Sequence, residues 1–292
     1  RDEIHIGIIS TDEEWGSLYI SNPNSSYVDS THYRQLLATN SGYYNHRTKN
    51  GVILYSVTGG QDYFKLGPGI CINRYNATGD AINLSGRRLL LNGLTISNLG
   101  QNSVGIRLID ASGESIVANT LVHGNLNNGT GFYTNSGGSF LMNCSLYASG
   151  NCVGSTGFSA VNCLSLSDIT NAGRIVTSYQ THCASSYSGV SGSTYSGVDP
   201  YNVYVNTYRN LENFYPLDEN IFVSKSGYKY DNMFIENTWS SILPSTFSGI
   251  ASIYSGNSEL SSLLSFDLEQ NERYGLDKVA IGALEYQYPI SN

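Results

Sequence analysis

The feature that most limits the fold is a short repeat built around asparagine. Four segments align without gaps when Asn92, Asn119, Asn143 and Asn162 are superposed, and the intervals between these residues are 27, 24 and 19. A fifth copy follows 20 residues later, with His182 in the asparagine position. Self-similarity at this period indicates a chain that stacks one supersecondary unit upon the next.

The residues around the asparagine indicate which faces are apolar. With Ser145 and Ser159 as exceptions, apolar residues recur one and three positions before it and two positions after it: Leu89, Leu91, Leu94, Ile116, Ala118, Leu121, Phe140, Met142, Val161 and Leu164. The period is two on each side, with a change of phase at the asparagine, as expected of two short strands whose inward faces meet at a bend. Asparagine suits the bend because it tolerates the left-handed backbone region.

Stacked units of this length predict a parallel β-helix. Each coil contributes short strands to long parallel sheets, so equivalent residues lie above one another at about 4.8 Å, the spacing of paired strands. The asparagine amides can then form a hydrogen-bonded ladder, and Cys144, Cys163 and Cys183 form a second column beside it. A β-sandwich or jelly roll is the alternative, because asparagine is abundant enough to recur regularly by chance.

Charge and composition narrow the classes of partner. Charged residues make up 13% of the 292 residues, and the formal net charge is −8. Phosphate backbones are bound by clustered Lys and Arg, whereas the one adjacent basic pair here is Arg87 with Arg88, so nucleic acid is not an expected partner. No apolar run approaches the roughly 20 residues of a membrane helix, which argues against membrane insertion. Five cysteines without a CxxC spacing argue against a zinc site, and no cofactor is expected.

The sequence divides into two segments. Residues 1–66 lie outside the repeat and are predicted to form an N-terminal cap or attachment segment, with an opening strand at 4–9 and a short helix at 31–39. A solenoid needs such a cap because its terminal coil otherwise exposes the apolar core. Residues 67–292 are predicted to form the β-helix, interrupted by a loop at 184–200 that is rich in Ser and Gly.

The C-terminal residues at 266–287 form a closing motif. Phe-Asp-Leu-Glu-Gln-Asn-Glu-Arg followed by Val-Ala-Ile-Gly-Ala-Leu-Glu-Tyr-Gln resembles the ending D-x-D-G-x-x-R…D-I-G-A-x-E-Y-Q. That ending closes many right-handed parallel β-helix proteins with pectate-lyase-like repeats, found in phages and among secreted bacterial proteins. Gln270 stands in place of the usual Gly, and Ala280 in place of the usual Asp. The resemblance implies a single-stranded right-handed parallel β-helix over about residues 67–292.

Catalytic groups on a β-helix should recur at the same offset in neighbouring coils. A lyase needs a base and a group that neutralises a uronate, often Ca²⁺ held by carboxylates, and hydrolysis needs two facing carboxylates. The offsets around the asparagines contain no such column, and His123 is the one histidine in its column. We therefore predict neither catalytic residues nor a metal site.

Asp267, Arg273 and Glu285 of the closing motif allow two interpretations. They could form a catalytic trio, or they could pair with one another and with backbone groups to close the last coil. A carboxylate–guanidinium pair fits the second role geometrically. We favour the structural interpretation.

A tyrosine-rich region suggests a contact surface. Nine tyrosines fall between residues 179 and 230, and tyrosine favours interfaces and sugar stacking. The high β propensity of tyrosine explains the same enrichment without any contact. The residues predicted for the contact surface are Tyr195, Tyr201, Tyr204 and Tyr208.

These features favour a non-catalytic structural or attachment protein. The resemblance implies a phage virion component, such as a capsid decoration, a fibre or a tail-associated protein. Its expected partners are other virion subunits or further copies of itself, by analogy as a homotrimer, with a glycan as a further candidate. Two alternatives stay open, a secreted polysaccharide lyase or depolymerase and a bacterial surface adhesin that binds sugar. The expected location is a virion or the extracellular space.

Overall fold

The computed structural model describes residues 5–21, 32–44, 50–74, 78–97, 102–109, 115–123, 129–135, 138–147, 158–161, 163–166, 179–181, 184–185, 195–196, 234–236, 266–268, 270, 272, 278–280 and 282–283. Their regular structure consists of β-strands and one 3₁₀ turn at Asn40–Gly42.

The strands are numbered in chain order and belong to three sheets. The first sheet has eight strands: β1 (His5–Ile9), β3 (Arg34–Ala38), β5 (Phe64–Leu66), β8 (Leu90–Asn92), β11 (Ile116–Ala118), β14 (Phe140–Met142), β16 (Ser159–Val161) and β18 (Tyr179–Thr181). The second has twelve: β2 (Glu14–Ile20), β4 (Ile53–Gly60), β6 (Ile70–Asn73), β7 (Ile82–Ser85), β9 (Leu94–Ser97), β10 (Val104–Ile109), β12 (Leu121–His123), β13 (Thr130–Thr134), β15 (Ser145–Tyr147), β17 (Leu164–Leu166), β19 (Ala184–Ser185) and β20 (Tyr195–Ser196). The third is an antiparallel pair of β21 (Phe234–Glu236) and β22 (Lys278–Ala280).

The two long sheets form a parallel β-solenoid. Neighbours in the first sheet follow the order β1-β3-β5-β8-β11-β14-β16-β18, and strands of the second sheet lie between them in the sequence. All pairings described in these two sheets are parallel. Parallel neighbours need crossover connections, and here the crossover is a coil that contributes strands to both sheets. The predicted parallel β-helix is confirmed, and the antiparallel sandwich is excluded.

The second sheet is divided into two rows. The start of β4 pairs with β6 and its end pairs with β7, so β4 spans both rows. One row continues through β9, β12, β15, β17, β19 and β20, and the other through β10 and β13. A coil therefore has three sides, the first sheet and these two rows, around an enclosed core.

Aliphatic columns fill this core. One column runs along the first sheet and one along each row of the second, and their members are paired on successive strands and buried in a single cluster. Full burial of one such side chain contributes about 1.5–3 kcal/mol, so the columns supply most of the stabilisation. In stacking order they are Leu66, Leu91, Val117, Leu141 and Ala160; Leu54, Ile72, Ile96, Val122 and Leu146; and Val57, Ile82, Ile106 and Phe132.

The inward positions differ from the prediction in the coils of Asn119 and Asn143. The core there holds the residue two positions before the asparagine, Val117 or Leu141, instead of those one and three positions before it. Three consecutive residues are apolar in each coil, so the sequence period cannot select a face; the register that pairs Leu91 with Val117 selects it. The residues expected inside are buried outside the core cluster: Ile116, Ala118, Leu121, Phe140 and Met142. In the first copy the expected residues do lie in the core: Leu89, Leu91 and Leu94.

Both long sheets continue into the N-terminal segment. β1 and β3 extend the first sheet beyond β5, and β2 and β4 extend the second, so the sheets run across the predicted boundary at residues 66 and 67. The opening strand is present as β1, whereas the predicted short helix is wrong, because its central residues form β3. β3 pairs with β1 on one side and β5 on the other. This pairing outweighs the helix propensity of Gln35, Leu36 and Leu37.

Two short strands lie within the loop predicted at 184–200. Ala184 pairs with Tyr195 in β19 and β20, and the two strands continue the second sheet. The rest of that loop lies outside the described residues, as do His182 and Cys183. The strands flanking these two residues, β18 and β19, pair in the places expected for the fifth repeat copy.

Candidate functional site

The asparagine ladder connects successive coils. Asn119 Nδ2 donates to Asn92 Oδ1 at 3.1 Å, and Asn143 Nδ2 donates to Asn119 Oδ1 at 3.2 Å. Asn119 and Asn143 are buried, so the amides provide hydrogen bonds that water would supply at the surface. The predicted ladder is confirmed for these three residues, whereas Asn162 lies outside the described part of the chain.

The bend beside the ladder explains the choice of asparagine. Asn119 and Asn143 have φ of 46° and 51°, in the left-handed region that asparagine tolerates better than most residues with a Cβ. The corresponding residue of the preceding coil is Gly93, with φ of 60°, and Asn92 comes just before the bend. The gapless alignment is therefore shifted by one residue in that coil, as the pairing of Asn92 with Ala118 indicates. Asn92 still reaches the ladder through its side chain.

The cysteine column is part of the core. Cys144 and Cys163 are buried thiols in the core cluster, and Cys183 lies outside the described residues. Cys144 Sγ donates to the carbonyl oxygens of Val117 and Met142, at 3.4 and 3.2 Å. These thiols fill space as small apolar groups, which is a packing role.

The closing motif folds onto the outer side of the coils. Leu268 N–H donates to Ala283 O at 2.9 Å, which joins the two halves of the motif. Ala283 N–H then donates to Ser145 Oγ in β15 at 2.9 Å. Tyr43, which follows β3, donates from its hydroxyl to Leu268 O at 3.1 Å. The motif thus contacts an early coil and a late one.

The three residues predicted to close the last coil are described only in part. Asp267 is buried, with 1% of its surface exposed, whereas Arg273 and Glu285 lie outside the described residues. The pairing of their charges therefore stays a prediction. Gln270, in place of the usual glycine, has φ of 67°, and its N–H donates to Asp267 O at 3.1 Å. The turn has the backbone conformation that glycine favours, although a glutamine occupies it.

A buried polar cluster lies on the outer face of the second sheet. Cys71 Sγ is 3.9 Å from Ser97 Oγ. Burial raises the pKa of the Cys71 thiol to about 12 and outweighs its hydrogen bonds with Ser97 and Tyr44, which act in the opposite direction. Burial, and secondly the nearby thiol, raises the pKa of Tyr44 too. Both groups stay protonated at neutral pH, so Cys71 is a poor nucleophile.

A charged and aromatic cluster on the outer face of the second sheet was missed by the sequence analysis. Arg107 donates from Nε to Asp80 Oδ2 at 2.7 Å and from Nη2 to Asp80 Oδ1 at 3.3 Å. Asn83 Nδ2 donates to Asp80 Oδ2 at 2.8 Å. The guanidinium of Arg107 lies 4.7 Å from the centre of the Tyr133 ring. Charge-assisted pairing and ring stacking hold this side chain in one orientation.

Three members of this cluster continue along the sheet as a row. The register places Tyr19, Thr58, Asn83, Arg107 and Tyr133 on successive strands, about 4.8 Å apart. We call these five residues the outer row. Tyr19 is 73% exposed, and the side chain of Arg107 is 29% exposed. The row presents rings, a cation, an amide and hydroxyls, groups that contact sugars or other proteins.

Other tyrosines of the described coils also stack on cations. Such pairs contribute about 0.5–1 kcal/mol at exposed sites. The sequence pattern gave no sign of them, because the partners are roughly one coil apart and meet only when the register is known. The pairs are Lys65 over Tyr33 at 3.7 Å, Arg74 over Tyr55 at 4.6 Å and Arg88 over Tyr63 at 5.1 Å.

The predicted tyrosine surface lies almost wholly outside the described residues. Tyr195 belongs to β20, and nothing further is described of Tyr201, Tyr204 and Tyr208. His123 ends β12, without a described side chain. Among the residues that the structure describes, no three His, Cys, Asp or Glu side chains are grouped as metal ligands. The same residues include no helix long and apolar enough to cross a membrane.

Comparisons with known proteins give no relative. Neither a protein-family model, nor a curated protein, nor a solved structure matches the chain. Function has to be inferred from the geometry of the coils and from the resemblance of the closing motif.

Proposed function

We propose that this protein is a non-catalytic structural and attachment module of a phage virion. A stiff solenoid can hold a contact surface at a fixed distance from the body that carries it. Its partners are other virion subunits or further copies of the chain. The closing motif supports the phage setting through its resemblance, and the geometry of the coils supports the structural role.

The continuity of the stack is the observation that carries this proposal. The first sheet joins eight strands through parallel pairing, and its aliphatic column continues from Leu66 to Ala160. The asparagine ladder adds side-chain hydrogen bonds between coils. Bending the solenoid would disturb backbone pairs, packed columns and ladder together, so the stack resists deformation.

The closing motif braces the stack from outside. Tyr43 and Ser145 belong to different coils, and the motif bonds to both through Leu268 and Ala283. Separation of the intervening coils would break these hydrogen bonds as well as those within the sheets. A braced solenoid suits a part that withstands mechanical load outside a cell.

The outer row favours a second candidate function, non-catalytic binding of a glycan. Tyr19 and Tyr133 offer rings on which sugars stack, and Asn83 and Arg107 offer hydrogen-bond donors between them. The carboxylate of Asp80 already accepts from Arg107 and Asn83. An engaged carboxylate favours binding over acid–base catalysis at this surface.

Quantitative mass spectrometry of purified virions tests the first proposal. We expect the chain in a fixed ratio to the major virion proteins, unchanged when particles are purified by a second method. Detection in the culture supernatant alone would contradict a virion role.

Glycan assays separate the remaining functions. An adhesin predicts binding to an immobilised glycan that weakens about tenfold in Tyr133→Ala and is unchanged in the control Tyr63→Ala, which lies outside the outer row. A lyase predicts new ultraviolet-absorbing unsaturated ends on a uronate polymer. Either outcome would replace the structural proposal if the chain is also absent from particles.

A further inference from the structure

One edge of β1 has no described strand beside it. His5 N–H donates to Tyr33 O at 3.2 Å, and Ile9 O accepts from Thr39 N–H at 2.9 Å, so alternate residues of β1 bond towards β3. The backbone groups of Ile6 and Ile8 therefore point the other way, because successive residues of a parallel strand bond to opposite sides. No described residue pairs with that side of β1. Two N–H donors and two carbonyl acceptors are thus arranged for a further strand.

The side chains at this end are apolar and exposed. Ile6 and Ile8 are 49% and 61% exposed on β1, and Trp15 and Tyr19 are 45% and 73% exposed on β2. The register places Leu90, Ile116 and Phe140 of later coils in the column of Ile6, and all three are buried. An exposed apolar strand edge is a common site of strand addition, and soluble proteins usually block such edges.

The charges beside the edge are of one sign. Asp12, Glu13 and Glu14 lie between β1 and the body of β2 and are exposed. Glu13 is held in place by a hydrogen bond from Trp15 Nε1 at 2.9 Å. The described stretch 5–21 contains neither Lys nor Arg. Two copies joined at this edge would each contribute an acidic turn and no Lys or Arg from the stretch 5–21, so their charges would not be complementary.

We propose that β1 is the docking edge for an extended, basic segment of another protein. The segment adds to the first sheet as a further strand and places alternate apolar side chains beside Ile6 and Ile8. Its Lys or Arg residues meet the carboxylates at 12–14, which selects the partner and speeds association. The inference rests on the proposed attachment function, because it identifies the surface through which the solenoid attaches.

Synthetic strands test the proposal on the full chain. The probe is a peptide of alternating Val and Thr with two Lys at each end, and its control carries Glu in place of Lys. Binding is measured by calorimetry and by the emission of Trp15 in a Trp239→Phe background. We expect the basic peptide to bind about tenfold more tightly than the acidic one at low salt, with the difference shrinking as salt screens the charges.

Two sets of variants locate the binding edge. Ile8→Pro removes an N–H that points away from β3, so it should leave the β1–β3 ladder intact and weaken the basic peptide about tenfold. Ile8→Thr keeps the N–H and should bind nearly as the parent does. Glu13→Lys with Glu14→Lys should reverse the preference in favour of the acidic peptide, which keeps the test decisive if Ile8→Pro misfolds.

Three results would overturn the inference. They are equal affinity for both peptides, unchanged affinity in a folded Ile8→Pro, and a dimer seen by sedimentation that Ile8→Pro removes. The last result would make a second copy the occupant. None of them depends on the mass-spectrometric test of particles, so the docking edge can fail while the virion proposal stands.

Discussion

The coil of Asn119 and the first coil use similar strands in different surroundings. Ile116 on β11 is fully buried beside its paired residues Leu90 and Phe140, whereas Ile6, which the register places in the same column on β1, is 49% exposed. The middle coil has neighbours on both sides, and the first coil has a described neighbour on one side. Burial in a solenoid is therefore supplied by adjacent coils, so identical strand chemistry stabilises in the middle and offers contact at the end.

The largest expected effect tests this difference directly. Ile116→Ala leaves a cavity at a fully buried position with paired neighbours on both sides and should lower the free energy of unfolding by about 2–5 kcal/mol. Ile6→Ala removes a side chain of the same column that is already about half exposed and should cost less than about 1 kcal/mol. Urea unfolding of both variants measures the contrast. Equal losses would show that position in the stack does not control burial energy.

The ladder gives a second, smaller contrast. Asn119→Ala removes the hydrogen bonds to the amides of Asn92 and Asn143 and places alanine in the left-handed region, for a loss of about 3 kcal/mol. Asn92→Ala removes one hydrogen bond at a half-buried residue before the bend and should cost about 1 kcal/mol. Urea unfolding again provides the measurement. If Asn92→Ala lowers the free energy of unfolding as much as Asn119→Ala does, burial and backbone strain do not determine how much each asparagine of the ladder contributes.

The contact between the closing motif and the coils is tested with a matched pair of serines. Ser145→Ala removes the acceptor of Ala283 N–H and should cost about 1–2 kcal/mol. Ser139 is equally buried, but its hydroxyl has no hydrogen-bond partner among the described residues, so Ser139→Ala should be neutral or slightly stabilising. Limited proteolysis should also release the C-terminal segment sooner in Ser145→Ala alone. Equal behaviour of the two variants would argue against the brace.

Features that repeat along the sequence could be predicted, whereas contacts between residues far apart in the sequence could not. The solenoid, the ladder and the cysteine column follow from a pattern that repeats in the sequence. The inward face in the coils of Val117 and Leu141 could not be predicted, because each is flanked by apolar residues and register alone distinguishes them. The pair of Arg107 with Tyr133 and the contact of Ser145 with Ala283 were missed for the same reason, since each needs a pairing between distant residues.

The pH dependence of stability compares the buried Cys71 with the exposed Ile8. Burial raises the pKa of Cys71 from its ordinary value of 9.0 to about 12, so above pH 9 the unfolded chain loses a proton that the folded chain keeps. The stabilisation is complete below pH 9 and is lost as the pH rises towards the folded value. Between pH 9 and 10 we expect Cys71 to account for a loss on the order of 1 kcal/mol. Cys71→Ser should flatten the urea-derived profile in that interval, whereas Ile8→Ala should not; parallel profiles would refute the assignment.

The smallest expected effect compares two arginines on the outer surface of the coils. Arg87 bonds to Asp62 with 59% of its side chain exposed, whereas Arg107 bonds to Asp80 with 29% exposed and also stacks on Tyr133. Arg87→Ala should change the free energy of unfolding by less than about 0.5 kcal/mol, because solvent screens the pair. Arg107→Ala should cost about 1 kcal/mol, since it leaves a partly buried carboxylate and frees the ring. Unfolding measured at low and high salt separates the two contributions. Salt should reduce the effect of Arg87→Ala more than that of Arg107→Ala. The opposite order would indicate that Arg107 behaves as an ordinary exposed charge.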